Sequence, residues 1–290
     1  MPDLTRHIDE YRTRGFTVIP ELLAGPTVER LRAVTNALLD GARETDVETE
    51  VLELEPGHTR RAPRVRRIKT PHRAHQAYWE LARDARLLRF VTNLIGGDVR
   101  LSHSKINTKP AAGGEPIEWH QDWAFAPHTN MDMCIAAVML DDCTPDNGPL
   151  RILPRSHRGE LHDHHDEGGF FQGAIDLARS RLTVEEAEPV LGPAGSVSIH
   201  HPLAVHGSAA NLSGAPRRMM FLEYAAADAW PLFYGPEWDE FMSRIVCGRP
   251  TNVVRTEPVF IRLPFPTRAP GSIFNSQTQF AARFFETTPA

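Results

Sequence analysis

A change of pattern at Gly96-Gly97 constrains the fold of this chain more than any other feature. Before it, apolar residues recur at helical spacing; after it, the chain breaks into short apolar runs punctuated by Pro, Gly and Asn. Leu4, Ile8 and Tyr11 predict a helix over Asp3 to Arg14, with Gly15 as its stop and the run Phe16 to Ile19 as a first strand. A second helix starts at Gly25-Pro26-Thr27 and carries Val28, Leu31, Val34, Leu38 and Leu39 towards Gly41. A third is expected over Gln76 to Leu94. Strands are then expected at Val99 to Thr108, Pro116 to His120, Met133 to Leu140, Leu150 to Leu153, Gly195 to His200, Arg217 to Ala225 and Val259 to Leu263. Short strands at this spacing suit an all-β sandwich or jelly roll.

No internal repeat or low-complexity linker divides the 290 residues, so one domain is expected. It comprises helical support over 1–97, a β core over 98–228 with an insertion or lid at 159–189, and an extension over 229–290 rich in proline and aromatic residues. With 41% apolar and 24% charged residues, the chain reads as a folded, soluble protein. Its net charge of -5 argues against a general nucleic-acid binder, whose affinity rests on surplus Lys and Arg. Met1 to Phe16 has charges every few residues and no apolar signal core, and no stretch approaches 18 uninterrupted apolar residues. A cytoplasmic monomer or homodimer with no nucleic-acid or membrane partner is therefore expected. The three cysteines, Cys134, Cys143 and Cys247, have no paired spacing that would indicate a disulfide framework or a thiolate zinc site.

The chemistry centres on Trp119-His120-Gln121-Asp122-Trp123. On an extended strand, residues i and i+2 share a face, so His120 and Asp122 can offer a nitrogen and an oxygen to one ion. His206, in His206-Gly207-Ser208, can add a second imidazole from a distant strand. Two histidines and a carboxylate leave three adjacent positions open on an octahedral ion, as at non-haem Fe(II) centres. Zinc sites with three protein ligands use the same donors, and a single strand histidine is more simply a hydrogen-bonded, half-buried residue.

Several motifs occur together with this one: Ser104-Lys105-Ile106-Asn107-Thr108-Lys109-Pro110, Asn147-Gly148-Pro149-Leu150, Pro154-Arg155-Ser156-His157, and His206-Gly207-Ser208 followed by Asn211, Ser213 and Pro216-Arg217. In this order they make the chain resemble the phytanoyl-CoA dioxygenase superfamily of Fe(II)- and 2-oxoglutarate-dependent oxygenases, from the first helix to about Tyr224. The resemblance implies a mainly β fold with flanking helices, a double-stranded β-helix (jelly roll, cupin-like) core with the N-terminal helices packed on one sheet. It implies that His120, Asp122 and His206 bind Fe(II) and that Arg217, helped by Ser208, holds the far carboxylate of the cosubstrate 2-oxoglutarate. A planar guanidinium suits that task better than an ammonium. Arg218, one residue on, is expected to face the other way.

By the same resemblance Gln121, Asn107 and Lys105 are candidate cosubstrate or substrate contacts. The implied reaction consumes O2 and 2-oxoglutarate, releases succinate and CO2, and hydroxylates an unactivated C–H bond of a small molecule, a secondary metabolite or carboxylated substrate. Related halogenases have a small residue in place of the carboxylate, so Asp122 favours oxygenation. Desaturation, epoxidation and rearrangement stay open, as does acyl-CoA hydroxylation. Trp123, Phe125 and Phe171, with Phe170, Trp230 and Phe233, are candidate pocket or lid residues, and each is equally at home in a core. His157 is a further candidate substrate contact, with a structural strand exit as the simpler reading.

Two clusters stand apart. The segment Arg60 to Lys69 has six basic residues and reads either as a solvated strand or loop, or as a site for a phosphate, coenzyme A or carboxylate group. His162-Asp163-His164-His165-Asp166-Glu167 reads as a loop or lid rather than a second metal site, because nothing rigid converges its side chains. Two rivals of other classes remain: a non-catalytic jelly-roll protein binding metal or 2-oxoglutarate, and a zinc hydrolase. Arg217 and Ser208 weigh against the hydrolase, which has no use for a carboxylate anchor.

Overall fold

In the computed structural model, which describes residues 2–287 apart from 112, 234, 269 and 270, helix α1 (Leu4–Arg14) begins at Asp3, whose carboxylate accepts from the Arg6 amide. It ends at Gly15, where a φ of 86° turns the chain and lets the Gly15 amide donate to Tyr11. Positions 288–290 of the expected extension lie outside the described residues. There follow β1 (Phe16–Ile19), α2 (Gly25–Asp40), β2 (Leu52–Leu54), β3 (Val65–Lys69), α3 (Pro71–Ala74), α4 (Gln76–Ala82) and α5 (Ala85–Ile95). The β region contributes β4 (Val99–Lys109), β5 (Ile117–His120), β6 (Met133–Met139), β7 (Arg151–Ile152), α6 (Leu177–Ser180), β8 (Glu188–Pro189), β9 (Val197–His200), β10 (His206–Ser208) and β11 (Arg217–Ala226). The chain continues through α7 (Trp238–Ser243), β12 (Ile245–Cys247) and α8 (Ile273–Gln277).

The strands form two antiparallel sheets, the jelly-roll arrangement. The larger runs β1-β9-β6-β11-β4-β3-β2, with β12 also on β4; the smaller runs β5-β10-β7-β8. Period-two alternation divides the large sheet's side chains between two environments. Met220, Leu222 and Tyr224 of β11, with Cys134, Ala136 and Val138 of β6, pack against Leu31 of α2, Leu81 of α4 and Leu87 and Val91 of α5. Met219 and Phe221 of β11, with Ile135, Ala137 and Met139 of β6, face Leu150, Ile152 and Val190 near the small sheet. Burying each such side chain is worth roughly 1.5–3 kcal/mol, so both faces hold the layers together. The helical N-terminal part thus packs on one sheet, leaving the inter-sheet face for chemistry.

Three expectations are corrected. The third helix is two: the first ends at Ala82 with Arg83 as its C-cap, and Asp84 caps the second by accepting from the Arg86 amide. Residues Val259 to Leu263 form no strand. The basic segment contains a paired interior strand, β3, between β2 and β4, hidden by its arginines from a search for apolar alternation. Arg60, Arg61 and Ala62 are exposed as a solvated loop would be, but Arg66 and Arg67 are buried, and Arg64 and Arg66 pair with Glu55 and Glu53 at 2.7 and 3.0 Å. The short strands β2, β8 and β12 are also ones the sequence pattern does not mark, whereas β10 is the strand expected to carry His206. Among the described residues no helix is long and apolar enough to cross a membrane.

Candidate active site

β5 and β10 pair antiparallel with His206 directly opposite His120, which sets the two imidazole centroids 4.1 Å apart. The strand ends there. Asp122 is not a strand partner of His120, as the i, i+2 argument had it, but opens a 3-10 turn over Asp122–Ala124. The turn still presents the carboxylate to both rings, with Oδ1 3.9 Å from His120 Nε2 and Oδ2 3.6 Å from His206 Nε2. Ligand atoms of the three residues lie within 4.8 Å of one another, a grouping that can hold a metal ion.

The surroundings fit that use. His120 donates through Nδ1 to the Glu118 carbonyl at 2.8 Å, and His206 through Nδ1 to the Ala204 carbonyl at 2.9 Å. Each bond fixes the tautomer and leaves the Nε2 lone pair directed at the carboxylate. Burial, then the neighbouring His206, pushes the His120 pKa well down, and burial brings that of His206 to about 4, so both are neutral donors. Burial alone would raise Asp122, but His206, Lys105 and His200 outweigh it and hold the carboxyl well below the usual range. His200, at the end of β9, donates through Nε2 to Asp122 Oδ2 at 3.1 Å. Its position in an apolar strand gave no sign of this role.

A cavity opens from the triad between the sheets, walled by Arg67, Lys105, Asn107, Lys109, Ser208 and Arg217 among others. Arg217 and Lys109 are register partners on β11 and β4, and both are buried. Arg217 donates through Nη2 to the Gly148 carbonyl, while its Nε has no acceptor. Gly148 has a φ of 67°, and a Cβ there would meet the Ala209 carbonyl at 2.5 Å, so the turn over these cations requires glycine. Lys109 donates to the carbonyls of Ala209 at 2.5 Å and Glu115 at 2.6 Å. Burial, then the charge of Arg217, drives its pKa well down. Two adjacent buried cations with an unmet donor fit an anion. Residue type and spacing within Ser104 to Pro110 do not mark Lys109 as a site residue; only its register with Arg217 does.

The remaining candidates divide. Ser208 and Asn107 line the cavity, and Lys105 does so while donating to Glu223 at 2.9 Å, 3.8 Å from Asp122. Gln121 does not reach it. Its amide donates to the carbonyls of Glu160 and Leu203 at 3.1 and 2.9 Å and accepts from the His162 amide, because it points opposite to the residues flanking it. Trp123 is core, packed with Met133 and Ala225. Phe125 sets its ring edge-on to His120 at 5.7 Å and to Phe171 at 5.0 Å, beside the triad. His157 lies elsewhere, its Nε2 donating to the Arg12 carbonyl at 3.2 Å. Trp230 stacks on Trp238, and Arg218 faces outwards to pair with Asp141 at 2.6 Å. In the His162–Glu167 cluster, His165 and Arg262 both bond Asp163 and Arg268 bonds Asp166; these side chains serve a loop.

The fold and this site define the class of non-haem iron oxygenases that use 2-oxoglutarate. Comparison with known proteins agrees. Residues 11–219 match the family model for phytanoyl-CoA dioxygenase (PhyH). The chain is 34% identical over 280 residues to a probable alpha-ketoglutarate-dependent hypophosphite dioxygenase of Stutzerimonas stutzeri, covering 95% of this chain and 98% of the relative. It is 29% identical over 262 residues to an ectoine dioxygenase of Halomonas elongata, covering 81% and 77% of the two. The crystal structure of EctD from S. alaskensis with bound Fe superposes with a TM-score of 0.64 at 26% identity, over 87% of this chain and 86% of that one. The form with 2-oxoglutarate and 5-hydroxyectoine gives 0.64 at 25%, over 87% of each.

The chain belongs to the phytanoyl-CoA dioxygenase family. It is an Fe(II)- and 2-oxoglutarate-dependent dioxygenase, an oxidoreductase whose relatives act on small molecules.

Proposed function

We propose that His120, Asp122 and His206 bind the Fe(II), that Arg217 holds the distal carboxylate of 2-oxoglutarate with Lys109 and Ser208 beside it, and that the substrate is a small carboxylated molecule, secondary metabolite or comparable anion. The observation that carries the cosubstrate assignment is the buried Lys109–Arg217 pair, with its unmet Nε donor, on a wall of the cavity that holds the triad. Repulsion between two cations withdrawn from water is relieved by a bound carboxylate. Iron and 2-oxoglutarate, when bound, supply the oxidation: one oxygen atom of O2 enters succinate as CO2 leaves, and the other enters the substrate. The protein's own residues fix where this happens. His200 and Lys105 orient the Asp122 carboxylate, and Phe125 and Phe171 give the triad an apolar flank that limits water.

The carboxylate of Asp122 supports oxygenation, since it fills the position that a halide would need. An acyl-CoA substrate has less support, because Arg60, Arg64 and Arg66 are engaged with Asp46, Glu55 and Glu53. The whole chain is read as one domain acting in the cytoplasm, as a monomer or homodimer. The test is anaerobic addition of Fe(II) and 2-oxoglutarate, followed by visible absorption. A weak charge-transfer band from the chelate is expected; no band, together with no succinate formed across a broad substrate panel, overturns the reading.

A further inference from the structure

β3 contributes a second guanidinium to the same cavity. Arg67 is the register partner of Asn107 on β4, two residues along that strand from Lys109, and is 7% exposed. Its Nε donates to Asn107 Oδ1 at 3.1 Å, and the carboxylate of Glu53 lies 3.8 Å from that same nitrogen. Its Nη2 is buried and has no hydrogen-bond partner. The Phe274 ring, with its centroid 5.1 Å from the guanidinium carbon, packs against the group and limits its motion. Desolvated N–H donors are costly to leave unmade, so a buried one on a cavity wall implies an acceptor that arrives with a ligand.

2-Oxoglutarate is accounted for without Arg67. It carries two carboxylates: one chelates metal at the triad and the other meets Arg217 and Lys109. Lys105 is not a free alternative, because its ammonium is committed to Glu223 at 2.9 Å. We propose that Arg67 is a specificity residue that binds an oxyanion of the substrate through its free edge, taking a carboxylate or a phosphorus oxyanion with two exposed oxygens. This rests on the oxygenase reading above. Asn107 and Phe274 position the fork, and the planar group favours a two-oxygen acceptor over a single point contact.

The experiment uses the full chain under anaerobic conditions with Fe(II) and 2-oxoglutarate, titrated with hypophosphite, L-proline and, as a control that lacks the carboxylate, L-prolinamide. Binding is read by calorimetry and by perturbation of the charge-transfer band. The wild type is expected to bind hypophosphite or proline, the arm that responds naming the source of the oxyanion, and to ignore prolinamide. Arg67→Gln is expected to weaken that binding by about tenfold to a hundredfold, the worth of a hydrogen bond to a charged group. Arg67→Lys is expected to restore only part, and both variants are expected to keep the 2-oxoglutarate band. Unchanged anion binding in Arg67→Gln overturns the proposal. So does a wild type that shows the band but binds neither anion, or loss of the band in both variants, which would put Arg67 in the cosubstrate site or in the fold. Absence of the band from the wild type, together with no succinate formed across the substrate panel, overturns the oxygenase reading instead.

Discussion

His200 and Asp122, 78 residues apart, are joined by a hydrogen bond of 3.1 Å from Nε2 to Oδ2. It ties the large sheet to the ligand that stands just beyond the end of β5, and it leaves the other carboxylate oxygen facing His120 and Lys105. Replacing His200 with leucine is expected to weaken Fe(II) binding about tenfold or more, the usual cost of losing such an orienting partner. Anaerobic metal titration checks this. Unchanged affinity with lowered thermal stability would reduce His200 to a packing role.

Arg217→Ala is expected to raise the KM for 2-oxoglutarate by about a hundredfold, since truncating one partner of a buried charge pair costs roughly 2–5 kcal/mol. Metal affinity should change by less than about twofold, because Arg217 contacts Gly148 rather than the triad. Arg217→Lys is expected to recover little, the planar fork being lost. Equal loss of metal and cosubstrate binding would make Arg217 a structural residue.

Stability is expected to fall as the pH drops from 6.5 towards 4. His128 and His164 are fully buried, and burial lowers the pKa of each to about 4. The unfolded chain, with histidines near 6.5, binds more protons than the folded one throughout that window, so acid favours unfolding. Each histidine then costs about 2 kcal/mol by pH 5, from the linkage relation. His164 also accepts from the Gln121 amide at 2.9 Å through Nε2, a bond that protonation removes. Urea midpoints at pH 7 and pH 5 measure the slope, and His164→Gln should make it shallower; an unaltered slope excludes His164 as a contributor.

Gly15→Ala is expected to destabilise the protein by about 2–3 kcal/mol. A Cβ would sit at a φ of 86° and 2.5 Å from His157 Nδ1, forcing that ring from its bond to Arg12. His157→Ala should relieve the clash and leave the KM for 2-oxoglutarate unaltered. Thermal denaturation of the single and double variants, analysed as a cycle, tests both statements.

The residues that were easiest to read from sequence are those whose chemistry is local. His120, Asp122, His206 and Arg217 carry their meaning in type, spacing and surrounding motif, and the helices α1 and α2 show their caps and apolar stripe openly. Less legible were roles created by cross-strand pairing. His200 becomes a partner of Asp122 only because β9 lies beside β6, and Lys109 becomes half of a cation pair only through its register with Arg217. β3 was hidden because its inward positions include arginine, neutralised by Glu53 from the adjacent strand. Gln121 differs: the family resemblance makes it a candidate ligand contact, while its extended backbone just beyond β5 aims its amide at the loop after β7 and at the turn before β10.

The cavity is finished by the far end of the described chain. Ile273 of α8 lines it, Phe274 lies over Arg66 and Arg67, and Phe285 stacks on Trp119, the residue before His120. Both sheets are complete by β12, so they can assemble while these last residues are still being synthesised. Metal ligands and cation pair are therefore in place earlier along the chain than the wall that encloses them, and a protein cut after β12 would keep its ligand set yet lose the surface that shapes what enters.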